Sequence, residues 1–173
     1  MLKYRVVIKK TAIGGILLAD LDFYEIDPKY LKYLKKFDSS VPDYSYDKHD
    51  KFFCGVVTKM NGFQYFAPIS SFSRQQATNL LIKNSDGRNI SSIRFCFMVP
   101  ADDSVLKVKD FSLEKDQKYV GLLSTELTFC RQNERRIQET AKRVYHYGID
   151  SKHPQYRNCC KFTNLEQAAT QYK

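Results

Sequence analysis

The dipeptide Asn61-Gly62 stands between two runs of strand-forming residues, 52–59 and 64–68. A type I′ turn needs a positive φ at both central residues, and Asn-Gly supplies this most readily. The two runs are therefore expected to pair as an antiparallel hairpin. The open end of that hairpin, opposite the turn, gathers what enters its first strand and what leaves its second. What enters is Tyr44-Ser45-Tyr46-Asp47-Lys48-His49-Asp50-Lys51, and what leaves is Pro68-Ile69-Ser70-Ser71-Phe72-Ser73-Arg74. Hydroxyls, a lysine and an arginine are thus brought to one place.

The remaining elements follow from periodicity and punctuation. Residues 3–9 predict a strand, and Thr11 to Gly15 a turn into a second strand within 16–26. Residues 1–22 are accordingly expected to form an N-terminal extension built as a β-hairpin. Asp27-Pro28 predicts a helix start, with Asp capping free amides and Pro at the first helical position. Tyr30, Leu31, Leu34 and Phe37 then share one face. Residues 38–50, interrupted by Pro42, read as a loop. Residues 79–83 predict a strand and Asp86-Gly87 a turn. Residues 93–99 predict an apolar strand broken only by Arg94 and ended by Pro100. The longest element is an amphipathic helix over 120–145. Its apolar series Leu123, Leu127, Cys130, Ile137, Ala141 and Val144 is interrupted only at Glu134, and Arg131, Arg135, Gln138 and Lys142 form a separate stripe. Residues 161–172 read as a short helix or strand. Strands with inserted and appended helices and no internal repeat predict one α+β domain.

Charge and chemistry narrow the function. With 28 Lys+Arg against 19 Asp+Glu, the net charge is +9, which points to a polyanionic partner such as nucleic acid. Five cysteines, an odd number that includes the adjacent pair Cys159-Cys160, offer no C-x-x-C spacing, so a reduced, cytoplasmic chain is expected. No apolar run approaches the ~20 residues of a membrane span. There is no phosphate-binding glycine loop, dinucleotide fingerprint or H-E-x-x-H motif. His49, His146 and His153 are scattered, so neither a metal nor a nucleotide cofactor is expected. From the residues alone, two accounts of Lys51, Ser70 and Ser71 stay open. They could bind a phosphodiester and stabilise charge developing on it. They could also be a strand end and a solvated flank, which is the commoner arrangement.

A family resemblance bears on that choice. Phe23-Tyr24-Glu25-Ile26-Asp27, Tyr30-Leu31-Lys32-Tyr33-Leu34, Phe37-Asp38 and Val41-Pro42 resemble the opening of the ToxN/AbiQ/CptN family, the toxin ribonucleases of type III toxin–antitoxin systems. Gly55-Val56-Val57, Tyr65-Phe66-Ala67-Pro68-Ile69-Ser70-Ser71 and Phe97-Met98-Val99-Pro100 continue the likeness. So do Leu122-Leu123, Glu126-Leu127 and Phe129-Cys130-Arg131, while Cys160-Lys161-Phe162 and Leu165-Glu166 resemble the family's C-terminal strand. The likeness runs from Phe23 to the C-terminus, so residues 23–173 are the family-like core.

The resemblance implies a bent antiparallel sheet of the Kid/MazF toxin type with inserted and appended helices. It implies metal-independent endoribonuclease action without a cofactor, leaving a 2′,3′-cyclic phosphate and a 5′-hydroxyl. It implies inhibition by a folded, repeat-encoded RNA antitoxin that the toxin itself cuts into units, within a closed assembly of several protein and RNA copies. Cellular and phage messenger RNA are the implied substrates, and no membrane is involved. The family's active-site lysine falls on Lys51 and its hydroxyl pair on Ser70 and Ser71. A family tyrosine of the preceding loop is matched by Tyr44 or Tyr46. The family lysine two positions after the second hydroxyl residue is here Ser73, followed by Arg74. RNA contacts are expected from Lys48, Arg131, Arg135 and Lys142. The rival readings are a non-catalytic basic RNA-binding module and a protein–protein adaptor.

Overall fold

The computed structural model describes residues 21–46 and 49–173, without the Tyr46 side chain. The extension expected over residues 1–22 thus lies outside the described residues as far as residue 20. At Asn61 and Gly62 φ is +53° and +83°, the left-handed pair that the turn demands. On either side run β4 (Phe53–Met60) and β5 (Phe63–Ser70). The hairpin pairs Phe53 with Pro68 and Met60 with Phe63, with a bulge between Gly55 and Thr58. Gly55 has no room for a side chain, because a Cβ there would lie 2.1 Å from the ring of Phe66, its cross-strand partner.

The hairpin is the middle of a larger antiparallel sheet. On one side β1 (Asp22–Ile26) pairs with β4, and β9 (Leu106–Val108) pairs with β1. On the other side β7 (Asn89–Arg94) pairs with the end of β5, and β6 (Asn79–Lys83) pairs with β7. The short β8 (Val99–Pro100) pairs with the start of β5. One edge of β5 is therefore shared by two strands. The single apolar strand expected over 93–99 is instead β7, a 3₁₀ turn at Phe95–Phe97, and β8. A strand sends neighbouring residues to opposite faces, whereas the turn lets the adjacent Phe95 and Cys96 both be buried.

α1 (Pro28–Leu34) starts as expected, with the Asp27 carboxylate accepting from the Lys29 amide at 2.7 Å. Tyr30, Leu31 and Leu34 are buried, but Phe37 is exposed, because the helix ends at Leu34 and its periodicity goes no further. The expected loop over 38–50 contains a small ladder, β2 (Ser45–Tyr46) with β3 (His49–Asp50).

The long helix expected over 120–145 is two helices, α2 (Gln117–Gln132) and α3 (Glu134–Ile149). Asn133, with φ −116° and ψ 22°, ends one and opens the other, and its side chain donates to the Phe129 carbonyl at 2.8 Å. Cys130 and Ile137 are two turns apart, so the break leaves both apolar faces on the core. Leu123, Cys130, Ile137, Ala141 and Val144 are all fully buried. The last segment is a helix, α4 (Phe162–Gln171), not the strand that the resemblance implied. Phe162, Leu165, Glu166 and Ala168 are buried at helical spacing, and a strand would send Leu165 and Glu166 to opposite faces.

A carboxylate ties these layers together. Glu166 Oε1 accepts from the Tyr65 hydroxyl at 2.7 Å and the Tyr145 hydroxyl at 2.8 Å. Asn61 Nδ2 donates to Glu166 Oε2 at 3.2 Å and to the Tyr145 hydroxyl at 2.8 Å. The turn of the hairpin, α3 and α4 thus share one buried network. Glu126 is the contrasting case. It lies in the interface of α2 with the sheet, and neither its Oε2 nor the nearby Ser91 hydroxyl has a hydrogen-bond partner among the described residues. Burial pushes its carboxyl from 4.5 up to about 7, with Ser91 opposing. Among the described residues, no helix is long and apolar enough to cross a membrane. All five cysteines are free and buried.

Two predictions follow from these carboxyls. Glu166→Ala strands the Tyr65 and Tyr145 hydroxyls, and urea denaturation should show a loss of about 3 kcal/mol; a loss below 1 kcal/mol would remove the network from its central place. The folded pKa of Glu126 is raised, so its neutral form favours the fold below pH 4.5 and that advantage disappears as pH rises through about 7. The change is on the order of 3 kcal/mol. Melting curves of Glu126→Gln should therefore stay flat where wild type loses stability between pH 5 and 8, and parallel profiles would contradict this.

Candidate active site

The register of the hairpin sets up the site. Continuing the Phe53–Pro68 pairing outward by two residues brings Lys51 level with Ser70. The Lys51 amide donates to the Tyr44 carbonyl at 2.6 Å, and the Ile69 amide to the Phe52 carbonyl at 3.2 Å, so the ladder extends past the strand proper. On the other side of β5, Ser70 pairs with Ser92 of β7, and Arg94 follows two residues on, on the same face. Lys51, Ser70 and Arg94 line one cleft of about 320 Å³. Pro68 and Phe97 form its floor, and its far wall is the chain after α1, from Lys35 and Ser39 to Asp43.

Arg94 carries no expectation from the sequence beyond breaking an apolar run. Its guanidinium lies over the Phe72 ring at 4.6 Å and the Phe97 ring at 5.1 Å, and Nη2 donates to Gln76 Oε1 at 3.1 Å. Aromatic faces and an amide hold a fixed positive charge without neutralising it. Burial lowers the Lys51 pKa from its ordinary 10.5, Arg94 lowers it further, and Asp43 opposes both. A lysine so placed gives up a proton more readily than a free one. The cleft is consequently rich in donors, suited to an anionic oxygen.

The other expected site residues lie at different places. Ser71, Ser73 and Arg74 are exposed on the segment leaving β5, and none of them lines the cleft. The Arg74 carbonyl accepts from Asn79 Nδ2 at 2.8 Å. The Tyr44 hydroxyl donates to Asp50 Oδ2 at 3.1 Å. Burial, then Asp50, pushes that phenol up to about 12, so it is a neutral donor at ordinary pH. The backbone of Tyr46 pairs with His49, while its side chain and all of Lys48 lie outside the described residues.

The expected basic stripe is divided by the break at Asn133. Arg131, on α2, is half exposed and tied to the chain at the start of β1. Its Nε donates to the Leu21 carbonyl at 2.9 Å, and its Nη2 is 3.6 Å from Asp22. Arg135 is almost wholly exposed and pairs with Glu139 at 2.9 Å, and Lys142 is exposed. His49 stacks on Tyr119 and His153 on Tyr147. Among the described residues, no group of three or more His, Cys, Asp or Glu converges to hold a metal.

The order of these elements agrees with comparisons to known proteins. The family model described as "Toxin ToxN, type III toxin-antitoxin system" matches residues 22–170, and the chain belongs to that family. It is 27% identical over 164 residues to the endoribonuclease ToxN of Bacillus thuringiensis subsp. kurstaki, covering 87% of this chain and 84% of that protein. It is also 27% identical over 171 residues to the endoribonuclease AbiQ of Lactococcus lactis subsp. lactis, covering 91% and 92%. Its fold is similar, with a TM-score of 0.78 and 24% identity, to the solved structure of a type III toxin selectively inhibited by a non-coding RNA pseudoknot. That likeness covers 88% of this chain and 98% of that one.

The Lys51–Arg94 pairing yields a titration test. In Arg94→Met the Lys51 ammonium should titrate closer to 10.5 than in wild type yet remain below it, because burial is the larger cause. Carbon NMR of the lysine ε-methylenes reads this directly, and an unmoved Lys51 would separate the two charges.

Proposed function

We propose that this chain is a metal-independent endoribonuclease toxin restrained by a folded RNA antitoxin. The observation that carries the reading is the cleft in which Lys51, Ser70 and Arg94 meet, in a chain of the ToxN family. RNA can be cut with its own 2′-hydroxyl as nucleophile. The 2′ oxygen passes its proton to solvent and bonds to phosphorus, the bond from phosphorus to the 5′ oxygen breaks, and that oxygen takes up a proton, so that none is gained or lost overall. The products are a 2′,3′-cyclic phosphate and a 5′-hydroxyl, with no redox change and no added water.

The protein must then hold the phosphate and stabilise the charge that builds on it. Ser70 holds the phosphate from within the cleft, and Ser71, exposed next to it where the chain leaves β5, offers a second hydroxyl from the rim. Arg94 offers a fixed guanidinium beside them, with Ser73 and Arg74, at the position of the family lysine, outside at the rim. Lys51, made more acidic by burial, stabilises the developing charge and delivers a proton to the leaving 5′ oxygen. Tyr44 and Tyr46 belong to the loop that enters the hairpin, and they are assigned to stacking on unpaired bases.

In this reading the sheet is of the Kid/MazF toxin kind and the protein acts in the cytoplasm. Its substrates are cellular and phage messenger RNA. Its antitoxin is a repeat RNA that it cuts into units and binds in a closed assembly. Lys48, Arg131, Arg135 and Lys142 add positive charge for RNA. The alternative, a binding module without catalysis, is favoured by the net charge of +9 alone.

RNA-free protein should cut a long messenger RNA at discrete positions in excess EDTA and leave cyclic-phosphate ends. Lys51→Ala and Ser71→Ala should each lower the rate by about a hundredfold or more without changing the melting temperature. Intact RNA after incubation with folded wild type would favour the binding module, and normal cleavage by either variant would remove that residue from the site.

A further inference from the structure

A second cleft, of about 350 Å³, lies on the far side of the segment that leaves β5. Gln75, Gln76 and Asn79 line one wall, and Arg136, Thr140 and Arg143 of α3 line the other. Arg136 and Arg143 are seven positions apart, two turns along one helix face and about 10 Å in rise. Neither makes an ion pair or a hydrogen bond among the described residues. The one acidic neighbour in the lining, Glu139, is engaged by Arg135 at 2.9 Å on the outer side.

The opposite wall is preorganised. Asn79, almost fully buried, donates to the Arg74 carbonyl at 2.8 Å, and its Oδ1 accepts from the Gln76 amide and Gln75 Nε2, each at 2.9 Å. Gln76 lines the second cleft and is bonded to a residue of the first. Its Oε1 is taken by Arg94 of the first cleft at 3.1 Å, so its amide nitrogen is left as a donor, without a partner among the described residues. Two guanidiniums and an amide, facing a polar cleft whose one carboxylate is paired with Arg135, suit the phosphate oxygens of a polynucleotide.

The geometry points to this second cleft as a binding site for the RNA sugar–phosphate backbone, outside the reacting phosphodiester and joined to the first cleft through Gln76. The inference rests on the RNA reading above. An RNA seated on Lys51 and Ser70 continues over the Gln76 wall and reaches Arg136 and Arg143. A short RNA that fills only the first cleft does not.

The test uses protein freed of RNA and non-cleavable RNA carrying 2′-O-methyl groups. Three probes are titrated against salt: a long single strand, a compactly folded RNA of the same length, and a short oligonucleotide. For the double variant R136A/R143A, affinity for at least one long probe should fall about tenfold or more, and its salt slope should flatten by about 1 to 2. The short oligonucleotide should bind as it does to wild type. R136K/R143K, which keeps the charge, should keep most of the slope. Loss on the folded RNA assigns the cleft to the antitoxin, and loss on the single strand assigns it to substrate; both support the inference. An unchanged slope on both long probes, or equal loss on the short one, overturns it, with melting temperatures reporting that the variants are folded. Cleavage of unmodified RNA by wild type is scored separately. RNA that wild type binds with a steep slope but never cuts sinks the nuclease reading and leaves the cleft standing. Normal cutting with a wild-type slope in the double variant does the reverse.

Discussion

Glu166 carries a carboxyl group that the fold removes almost entirely from water, and burying such a group is costly unless hydrogen-bond donors surround it. Three do so, from Asn61, Tyr65 and Tyr145. The first two belong to the closed end of the central hairpin and the third to α3, while Glu166 itself is on α4. These donors are 21 to 105 residues away in sequence. The interaction therefore exists only once both helices have docked, and it pins the turn of the hairpin beneath them. With that end committed, the open end is where the strands, the loop after α1 and the segment leaving β5 can form a cleft.

The polar groups inside this protein divide by how they are satisfied. Glu166 is fully bonded and holds layers together. Glu126 has a carboxylate oxygen without a partner, and burial drives it toward the neutral form near neutral pH. Arg94 is held by aromatic faces and an amide, with its Nε buried and without a partner among the described residues, and it lines the cleft. A fold optimised only for stability has little use for that last arrangement. It lowers the proton affinity of Lys51 and gathers positive charge beside Ser70, as phosphate chemistry requires.

The segment from Phe72 to Asn79 forms a wall of the second cleft, and its Phe72 and Gln76 hold Arg94 of the first. Its shape depends on Asn79, whose side chain replaces the strand ladder that the segment lacks. The net charge of +9 is not spread evenly. Part of it lies in exposed surface pairs such as Arg135 with Glu139 and Arg131 with Asp22, and part lines the two clefts.

The sequence by itself determined the features whose causes are local. Asn-Gly specified the hairpin turn, Asp-Pro the start of α1, and apolar spacing the inward faces of α2 and α3, because turn chemistry, capping and periodicity act within a few residues. It also placed Lys51 and Ser70 at one end of one hairpin, since pairing register follows from a turn. Beyond that, distant parts of the chain decided. The break at Asn133 keeps the same apolar phase on both sides, so periodicity over 120–145 is blind to it. Leu165 and Glu166 are both buried, which their order alone does not require, and α4 follows from docking against β8 and α1. Arg94 was visible as the single charge in an apolar run, but its use depends on Phe72, Phe97, Gln76 and Lys51 arriving from elsewhere. Charge in a cleft is a property of approach between segments, and only tertiary structure sets that approach.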